Sequence, residues 1–243
     1  MARSKCRCQQ LERSSLGPIP ARIIALLDLA YPASNRLGIP DLSPFLAPSG
    51  VPLPVQCWGQ TSRAKRNPGT WHHFTADYRF SALEKRHQQL IETGCVASVE
   101  INYSVFDDTP LAVAFHTIYK KRWIARTWQE AGIAVFVDCN LPERVLDTEE
   151  ARYGVPASYS AFATRGYERR IEALDREYAW AKSFGCPQPT FLVVGGGRKT
   201  AEWCERTPGA FHSGYTATKR PYSVPATVFS DVQPMRGLFD GSE

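Results

Sequence analysis

Apolar runs that end in polar or glycine residues recur along the middle of the chain, and this pattern constrains the fold more than any other feature. Segments with helical periodicity separate most of these runs, most clearly at 168–184, where apolar residues recur at three- and four-residue steps. Strands joined by helical crossovers pair in parallel. The runs end in TADY (75–78), EINYS (100–104), VDCN (137–140), ATRG (163–166) and VGGG (194–197).

The alternation predicts an α/β fold, and we favour an incomplete (β/α) barrel over the alternative, a doubly wound open sheet. In both architectures the carboxyl ends of the parallel strands meet on one rim, where ligands bind. Glycine follows three of the predicted helices, as is typical of helix ends. The predicted strands are 71–76, 95–102, 133–137, 160–163, 191–194 and 210–212, and the helices are 80–93, 111–131, 168–184 and 199–206.

A length of 243 residues and a mass of 27.2 kDa suit one α/β domain with irregular ends. We expect the core at 71–218, a Pro-rich wrapping arm that ends in a basic loop at 1–70, and an irregular tail at 219–243. Prolines between 40 and 54 exclude a helix or a central strand there. The apolar side chains expected to anchor the arm are Leu42, Phe45, Leu46, Val51, Val55 and Trp58.

The net charge of +5 and the isoelectric point of about 8.8 favour an anionic partner, either nucleic acid or a phosphorylated metabolite. The longest apolar stretch near the start is far too short to span a bilayer, so we expect no membrane association and a cytoplasmic location. Seven cysteines without a repeated spacing indicate reduced thiols. Cys6 and Cys8 lack the two-residue spacer of common zinc sites.

Carboxylates follow three of the predicted strands. Asp77 and Asp138 are the main candidates for catalysis and for binding Mg²⁺ or Mn²⁺, because convergent carboxylates hold such ions or act as general acid and base. Asn102, Ser104 and Asn140 would complete an oxygen-rich site. Asp107 and Asp108 are further candidates, although Asp108 fits better as a cap of the helix that begins at Leu111.

Two other strand ends offer positive charge or backbone N–H groups for an anion. Arg165 could clamp a phosphate or carboxylate in a bidentate manner, or it could pair with a neighbouring aspartate. Gly195, Gly196 and Gly197, followed by Arg198 and Lys199, could cradle a phosphate at the start of a helix. The alternative is a tight turn in which the glycines serve geometry alone.

Three further features have a structural and a functional interpretation. Strand alternation lets only one of His72 and His73 face the interior, where a histidine is usually a hydrogen-bonded core residue. Cys139 could be a nucleophile, but a buried thiol is the better interpretation. The segment 119–128 combines four cations with three aromatics, which suits nucleic acid, yet an amphipathic helix with a solvated basic flank also explains it.

Six motifs resemble those of a bacterial domain of unknown function that occurs in phage, plasmid and chromosomal genes. The resemblance covers roughly residues 50–205 and implies no activity or catalytic residues, but its association with mobile elements favours a role with nucleic acid. The motifs are GTWHHF (69–74), DYRF (77–80), NYSVFDDTP (102–110), IYKKRWIAR (118–126), FATRGY (162–167) and VGGG (194–197).

Two functions follow from these observations. The first is an enzyme that acts on a nucleotide or nucleic acid at the strand-end rim, using Asp77, Asp138, Asn140 and Arg165 with a divalent ion. The second is a non-catalytic nucleic-acid-binding accessory or replication protein of a phage or plasmid, which would use the basic segments 61–66 and 120–126.

Overall fold

The strands of the sheet follow one another in space in the same order as in the sequence. The computed structural model describes residues 31–59 and 66–214, and this part of the chain contains seven strands that are all paired in parallel. They form a curled half-barrel with helices between them, which confirms the incomplete-barrel prediction. A doubly wound sheet would reverse its strand order at a switch point, and this sheet does not. The strands are β1 (Val55–Cys57), β2 (Thr70–His72), β3 (Ala97–Val99), β4 (Ala134–Asp138), β5 (Ala161–Arg165), β6 (Thr190–Val194) and β7 (Ala210–Ser213).

Helices occupy most of the crossovers between these strands. The described helices are α1 (Ser81–Lys85), α2 (Gln88–Ile91), α3 (Leu111–Glu130), α4 (Glu143–Leu146), α5 (Ile171–Lys182) and α6 (Gly197–Arg206). Short 3-10 turns lie at Pro44–Leu46, Asp77–Arg79 and Glu150–Arg152. No described helix is long and apolar enough to cross a membrane.

The ends of α3 show which local signals the chain uses. After α3, Gly132 adopts a φ of +81°, a conformation that glycine accepts without steric cost, and its N–H donates to Gln129 O at 2.8 Å. The start differs from our prediction, because no side-chain hydrogen bond caps the helix at Pro110. Instead Thr109 Oγ1 accepts from Phe106 N at 2.9 Å and closes the preceding turn. Capping by Asp108 is therefore corrected, and its side chain is exposed.

Two elements differ from the sequence prediction because of contacts from other parts of the chain. The predicted helix 80–93 is split into α1 and α2 around Arg86, whose φ and ψ of −137° and 54° are not helical. The indole of Trp128 donates to the neighbouring His87 carbonyl at 3.1 Å. Strand β1 lies within the predicted arm, and Thr70 N donates to Pro54 O at its start. Pro54 is tolerated there because β1 is the first strand of the sheet.

The described part of the arm packs on the core through a subset of the expected anchors. Leu42, Val51 and Val55 are buried in the main hydrophobic cluster, as predicted. Phe45 is 94% exposed, so its assignment as an anchor was wrong. Full burial of one such aliphatic side chain contributes about 1.5–3 kcal/mol, so the three anchors together help to hold this irregular segment on the core. The first 30 residues, the segment 60–65 and the tail from 215 lie outside the described residues, and with them Cys6, Cys8 and most of the basic loop.

Candidate functional site

A cleft of about 480 Å³ opens at the carboxyl-terminal rim of the half-barrel. It is formed by residues that follow β2 and β3 and by the last residue of β5, so it occupies the rim that the strand pattern indicates. Its lining combines hydroxyl groups, two aromatic residues and two guanidinium groups. The lining residues are Phe74, Thr75, Ala76, Tyr78, Arg79, Ser104 and Arg165.

Asp77 lies beside this cleft and ties two of its loops together. Its carboxylate accepts from Ser104 N at 3.2 Å and from Ser104 Oγ at 2.9 Å. Asp77 follows β2 and Ser104 follows β3, so the two bonds fix the loops of neighbouring strands relative to one another. The half-buried Asp77 therefore stabilises the two loops of the cleft and places a carboxylate at its margin.

The two arginines of the cleft come from distant parts of the sheet, since Arg79 lies in the 3-10 turn after β2 and Arg165 is the last residue of β5. Arg79 donates to Gly59 O at 2.7 Å, and Arg165 stands 5.0 Å from the centre of the Tyr167 ring. Burial raises the pKa of the Cys57 thiol, and the positive charges of Arg79 and Arg165 oppose that shift. Both guanidinium groups thus influence the Cys57 thiol at the end of β1. The curl of the sheet brings the ends of β1, β2 and β5 towards one another.

Asp138 and Asn140 belong to a separate, buried polar network at the ends of β3 and β4. Asp138 Oδ2 accepts from Asn102 Nδ2 and from Lys121 Nζ, each at 3.1 Å. Asp138 Oδ1 accepts from Asn140 N at 3.0 Å, and Asn140 Nδ2 donates to Asn102 Oδ1 at 3.3 Å. Neither Asp138 nor Asn140 is among the residues that line the rim cleft.

A second ion pair completes this network. Arg122 pairs with Glu100, and Glu100 Oε2 also accepts from Asp138 N at 3.0 Å and lies 3.9 Å from Lys121 Nζ. All four charged side chains are at most 1% exposed. Two carboxylates and two cations balance the charge, and removing one partner of such a buried pair costs about 3–5 kcal/mol. We refer to Glu100, Lys121, Arg122 and Asp138 as the buried tetrad.

The buried tetrad corrects our interpretation of the basic helix. Lys121 was assigned to a solvated flank or a nucleic-acid-binding stripe, and Arg122 to that stripe or to the helix sector of Ile118 and Ala125, but both are buried. The other two cations are paired, Lys120 with Glu84 at 2.8 Å and Arg126 with Glu130 at 2.5 Å. The spacing contained a signal, since Arg122 shares its helix sector with Ile118 and Ala125. The acidic partners on β4 and after β3 could not be read from local sequence.

Asp77 and Asp138, the predicted metal ligands, thus have different surroundings. Asp77 accepts hydrogen bonds from Ser104, whereas Asp138 is paired with the Lys121 ammonium group. Within residues 31–59 and 66–214, no group of three or more His, Cys, Asp or Glu side chains is arranged to hold a metal ion. Binding of Mg²⁺ or Mn²⁺ by these two aspartates stays a prediction.

The glycine turn holds the ends of β5 and β6 close together. Gly195, Gly196 and Gly197 all have positive φ, at 79°, 88° and 71°. A Cβ atom on Gly196 would come within 2.7 Å of the Gly166 carbonyl carbon, so this approach requires glycine.

An internal carboxylate already lies at the start of α6. Glu168 Oε1 accepts from Arg198 N at 3.0 Å, which places a negative charge where the helix dipole favours one. Lys199 is exposed on the same turn of the helix. An external phosphate would have to compete with Glu168 for this position.

Both histidines of the first predicted strand, 71–76, are buried, which corrects the expectation that only one faces inward. The alternation fails because β2 ends at His72, so His73 is already beyond the strand. The His73 ring stacks on Trp128 at 5.5 Å, and its Nδ1 lies 2.9 Å from Val99 O. Burial lowers the pKa of His73 to about 3, so the ring is neutral at physiological pH. His73 is therefore a core residue.

Cys139 and Glu177 share the interior near the end of β4. Burial raises the pKa of the Cys139 thiol, and the charges of Glu177 and Asp138 raise it further, so it stays protonated. Sequence reasoning missed Glu177, which is 6% exposed on α5 and whose Oε2 has no hydrogen-bond partner. Burial raises the pKa of the Glu177 carboxyl to about 8. Its position on the buried side of α5, between Leu174 and Trp180, was the available signal.

Comparison with known proteins identifies the family of this chain. The family model for the domain of unknown function DUF4417 matches residues 31–179, more than half of the chain, and the chain belongs to this family. It resembles the "Gene 1 protein" of Mycobacterium phage D29, with 30% identity over 114 residues, and that of Mycobacterium phage L5, with 28% over 114 residues. No solved structure matches the chain.

The matched region is limited in both phage proteins. It covers 45% of this chain in each case, and 41% of the D29 protein and 48% of the L5 protein. The chain therefore spans less than half the length of these relatives. The family and the relatives agree with the phage-associated domain that the sequence motifs indicated.

Proposed function

We propose that the rim cleft binds a phosphate-bearing ligand, either a nucleotide or a nucleic acid. The observation that carries this proposal is the presence of two guanidinium groups, Arg79 and Arg165, in one open cleft. Guanidinium groups are suited to phosphate because their N–H donors match two phosphate oxygens at once. Two guanidinium groups line the cleft and one carboxylate, that of Asp77, lies at its margin, so the charge of the cleft favours an anion.

The neutral groups of the cleft support the same ligand class. Thr75, Tyr78 and Ser104 contribute hydroxyls, which donate to phosphate oxygens in many nucleic-acid complexes. The basic net charge adds a general attraction for polyanions. The resemblance to phage proteins supports a role in mobile-element biology, where nucleic acid is the common substrate or partner.

An enzymatic version of this proposal rests on the Asp77–Ser104 hydrogen bond at the margin of the cleft. A half-buried carboxylate in that position could accept a proton from a nucleophile or contribute to a Mg²⁺ or Mn²⁺ site. Asp138 and Asn140 would then support the rim from the interior and would not contact the substrate. Arg165 would orient the phosphate.

The test is a binding and activity screen with the full chain. Fluorescence anisotropy would measure binding of a labelled octanucleotide, and thermal shift would measure stabilisation by nucleotides and inorganic phosphate, each with and without Mg²⁺ or Mn²⁺. We expect Arg79→Ala to weaken binding by about tenfold and to reduce its salt dependence by about one phosphate contact. Arg206→Ala, which removes the same charge from the end of α6, is the control and should bind as the wild type does.

Three outcomes separate the versions of the proposal. Absence of binding to any phosphate-bearing probe overturns it. Equal binding by the wild type and Arg79→Ala, with both proteins folded, moves the site away from the rim cleft. Turnover of a nucleotide or oligonucleotide that requires a divalent ion and is lost in Asp77→Asn, with binding retained, supports the enzyme, whereas binding without turnover supports the accessory protein.

A further inference from the structure

Two exposed aromatic rings, Tyr78 in the lining of the rim cleft and Phe106 two residues beyond its Ser104, identify a more specific ligand. We propose that Tyr78 and Phe106 stack on unpaired bases, so that the ligand of the rim is single-stranded nucleic acid. This inference rests on the proposed phosphate-binding function of the cleft. It adds contacts with the bases to the contacts with the phosphates.

Most of the surface of each ring is exposed to solvent. Tyr78 is 73% exposed and Phe106 is 65% exposed, although each lies close to a buried aromatic, Phe80 and Tyr103 respectively. Large aromatic side chains are normally buried, because their burial contributes strongly to core stability. Two such rings left in solvent at one rim are typical of a binding surface.

Hydrogen bonds hold the backbone at both aromatic residues in a defined conformation. Ser81 Oγ donates to Tyr78 O at 3.1 Å, and Tyr78 belongs to the 3-10 turn Asp77–Arg79. Thr109 N donates to Phe106 O at 3.0 Å, and Thr109 Oγ1 accepts from Phe106 N at 2.9 Å, which makes a closed turn. A preorganised backbone reduces the conformational entropy that is lost on binding.

The two rings lie within reach of one short oligonucleotide. Asp77 and Ser104 are joined by two hydrogen bonds, Tyr78 is one residue from Asp77, and Phe106 is two residues from Ser104. With 3.8 Å between consecutive α-carbons, this connection limits the separation of the two aromatic α-carbons to about 20 Å. A strand of a few nucleotides spans that distance.

Positive charge lies next to the rings, as the backbone of a nucleic acid requires. The Arg79 guanidinium is 5.5 Å from the centre of the Tyr78 ring, and Arg165 lines the same cleft. A base on Tyr78 would thus have its phosphate close to Arg79. Aromatic platforms combined with a basic groove are how proteins bind single strands with little sequence preference. Bases in a duplex are already stacked on each other and cannot use such platforms.

The test compares probes that differ only in their bases. Anisotropy would be measured with the full chain and four octamers: single-stranded DNA, single-stranded RNA, duplex DNA and an abasic deoxyribose-phosphate strand. We expect both single strands to bind at least tenfold more tightly than the duplex and the abasic strand. Tyr78→Ala and Phe106→Ala should each weaken single-strand binding by about fivefold or more and leave abasic binding unchanged. Tyr78→Trp, which keeps an aromatic ring at this position, should bind single strands as the wild type does.

Phe45→Ala is the matched control. Phe45 is 94% exposed, but it neighbours Ser43, which accepts a hydrogen bond from Gln129 near the end of α3, and this places it at the opposite end of the barrel. It should bind as the wild type does. The stacking inference is overturned if the duplex or the abasic strand binds as tightly as the single strands, or if both aromatic variants bind normally while Arg79→Ala is weakened. Loss of all binding in the wild type would instead overturn the proposed function itself.

Discussion

Replacing Glu177 with glutamine should remove a pH dependence of stability that comes from one buried carboxyl. Glu177 lies on the inner side of α5 with Oε2 unpartnered, and Asp138, Arg170 and Arg176 are the charged groups that influence it. Burial raises its pKa from 4.5 to about 8, so the folded protein keeps a proton that the unfolded chain has released. Stability contributed by the protonated form is therefore lost as pH rises between these two values.

The size of the effect follows from the window chosen. At pH 6.5 the unfolded chain carries the ionised form and the folded protein the neutral form, so the slope there is about 1.36 kcal/mol per pH unit. The slope halves by pH 8, where the folded carboxyl is half ionised, so the wild type should lose about 1.6 kcal/mol over this window. For a chain of this size the midpoint of thermal unfolding should fall by about 3–6 °C.

The assay is thermal and urea unfolding followed by circular dichroism at pH 6.5 and pH 8. Glu177→Gln keeps the shape and the neutral charge of the protonated side chain, so its stability should change much less over the window. Glu172→Gln, on the exposed side of α5, should behave as the wild type does. Cysteine ionisation affects all three proteins equally and cancels in the comparison. If Glu177→Gln loses as much stability as the wild type, or is less stable than the wild type at pH 8, then Glu177 is ionised in the folded protein and our reasoning fails.

Three further predictions concern the histidine, the buried tetrad and the glycine turn. His73 stays neutral in the folded protein, whereas the unfolded side chain has a pKa of 6.5. In the Glu177→Gln variant, which lacks the opposing titration of Glu177, stability should therefore fall as pH decreases from 6.5 to 4.5. A urea midpoint that stays constant over this range would contradict a neutral His73. Lys121→Met should lower the free energy of unfolding by about 3–5 kcal/mol, because it leaves Asp138 buried without its cation, and Lys120→Met is the control. Gly196→Val should destabilise the fold, since its φ of 88° and the proximity of Gly166 exclude a side chain. Lys199→Ala should leave the thermal stability of the protein unchanged. If phosphate no longer stabilises Lys199→Ala but still stabilises Arg79→Ala, the anion site lies at the glycine turn.

The sequence contained enough information for the architecture because strong local periodicity decided it. The helix predicted at 111–131 is observed as Leu111–Glu130, and the strand predicted at 191–194 as Thr190–Val194. Strand β1 was missed because three residues are too few to show a period. At the split of the helix predicted over 80–93, the His87 carbonyl accepts a hydrogen bond from the Trp128 indole, which comes from a distant part of the chain. Neighbouring residues could not reveal that contact.

The candidate site was predicted less well, for the same physical reason. The position of the rim followed from parallel strands, and Arg165 was found because it ends one of them. Asp138 has the same kind of position, but its surroundings depend on Lys121 from the middle of α3. Arg79 was overlooked because it lies in a short 3-10 turn, where no sequence period marks its direction. Side-chain partners that are distant in sequence require the fold itself.

The measurement that most directly tests the central claim is photocrosslinking of the bound strand. A single-stranded octamer that contains 5-iodouracil would be irradiated with the full chain, and the linked peptides would be identified by mass spectrometry. Our account predicts that the links fall on Tyr78 or Phe106, at the carboxyl-terminal rim, and that excess unlabelled single strand removes them. Links confined to the opposite end of the barrel, as at Phe45 or Val96, would contradict it.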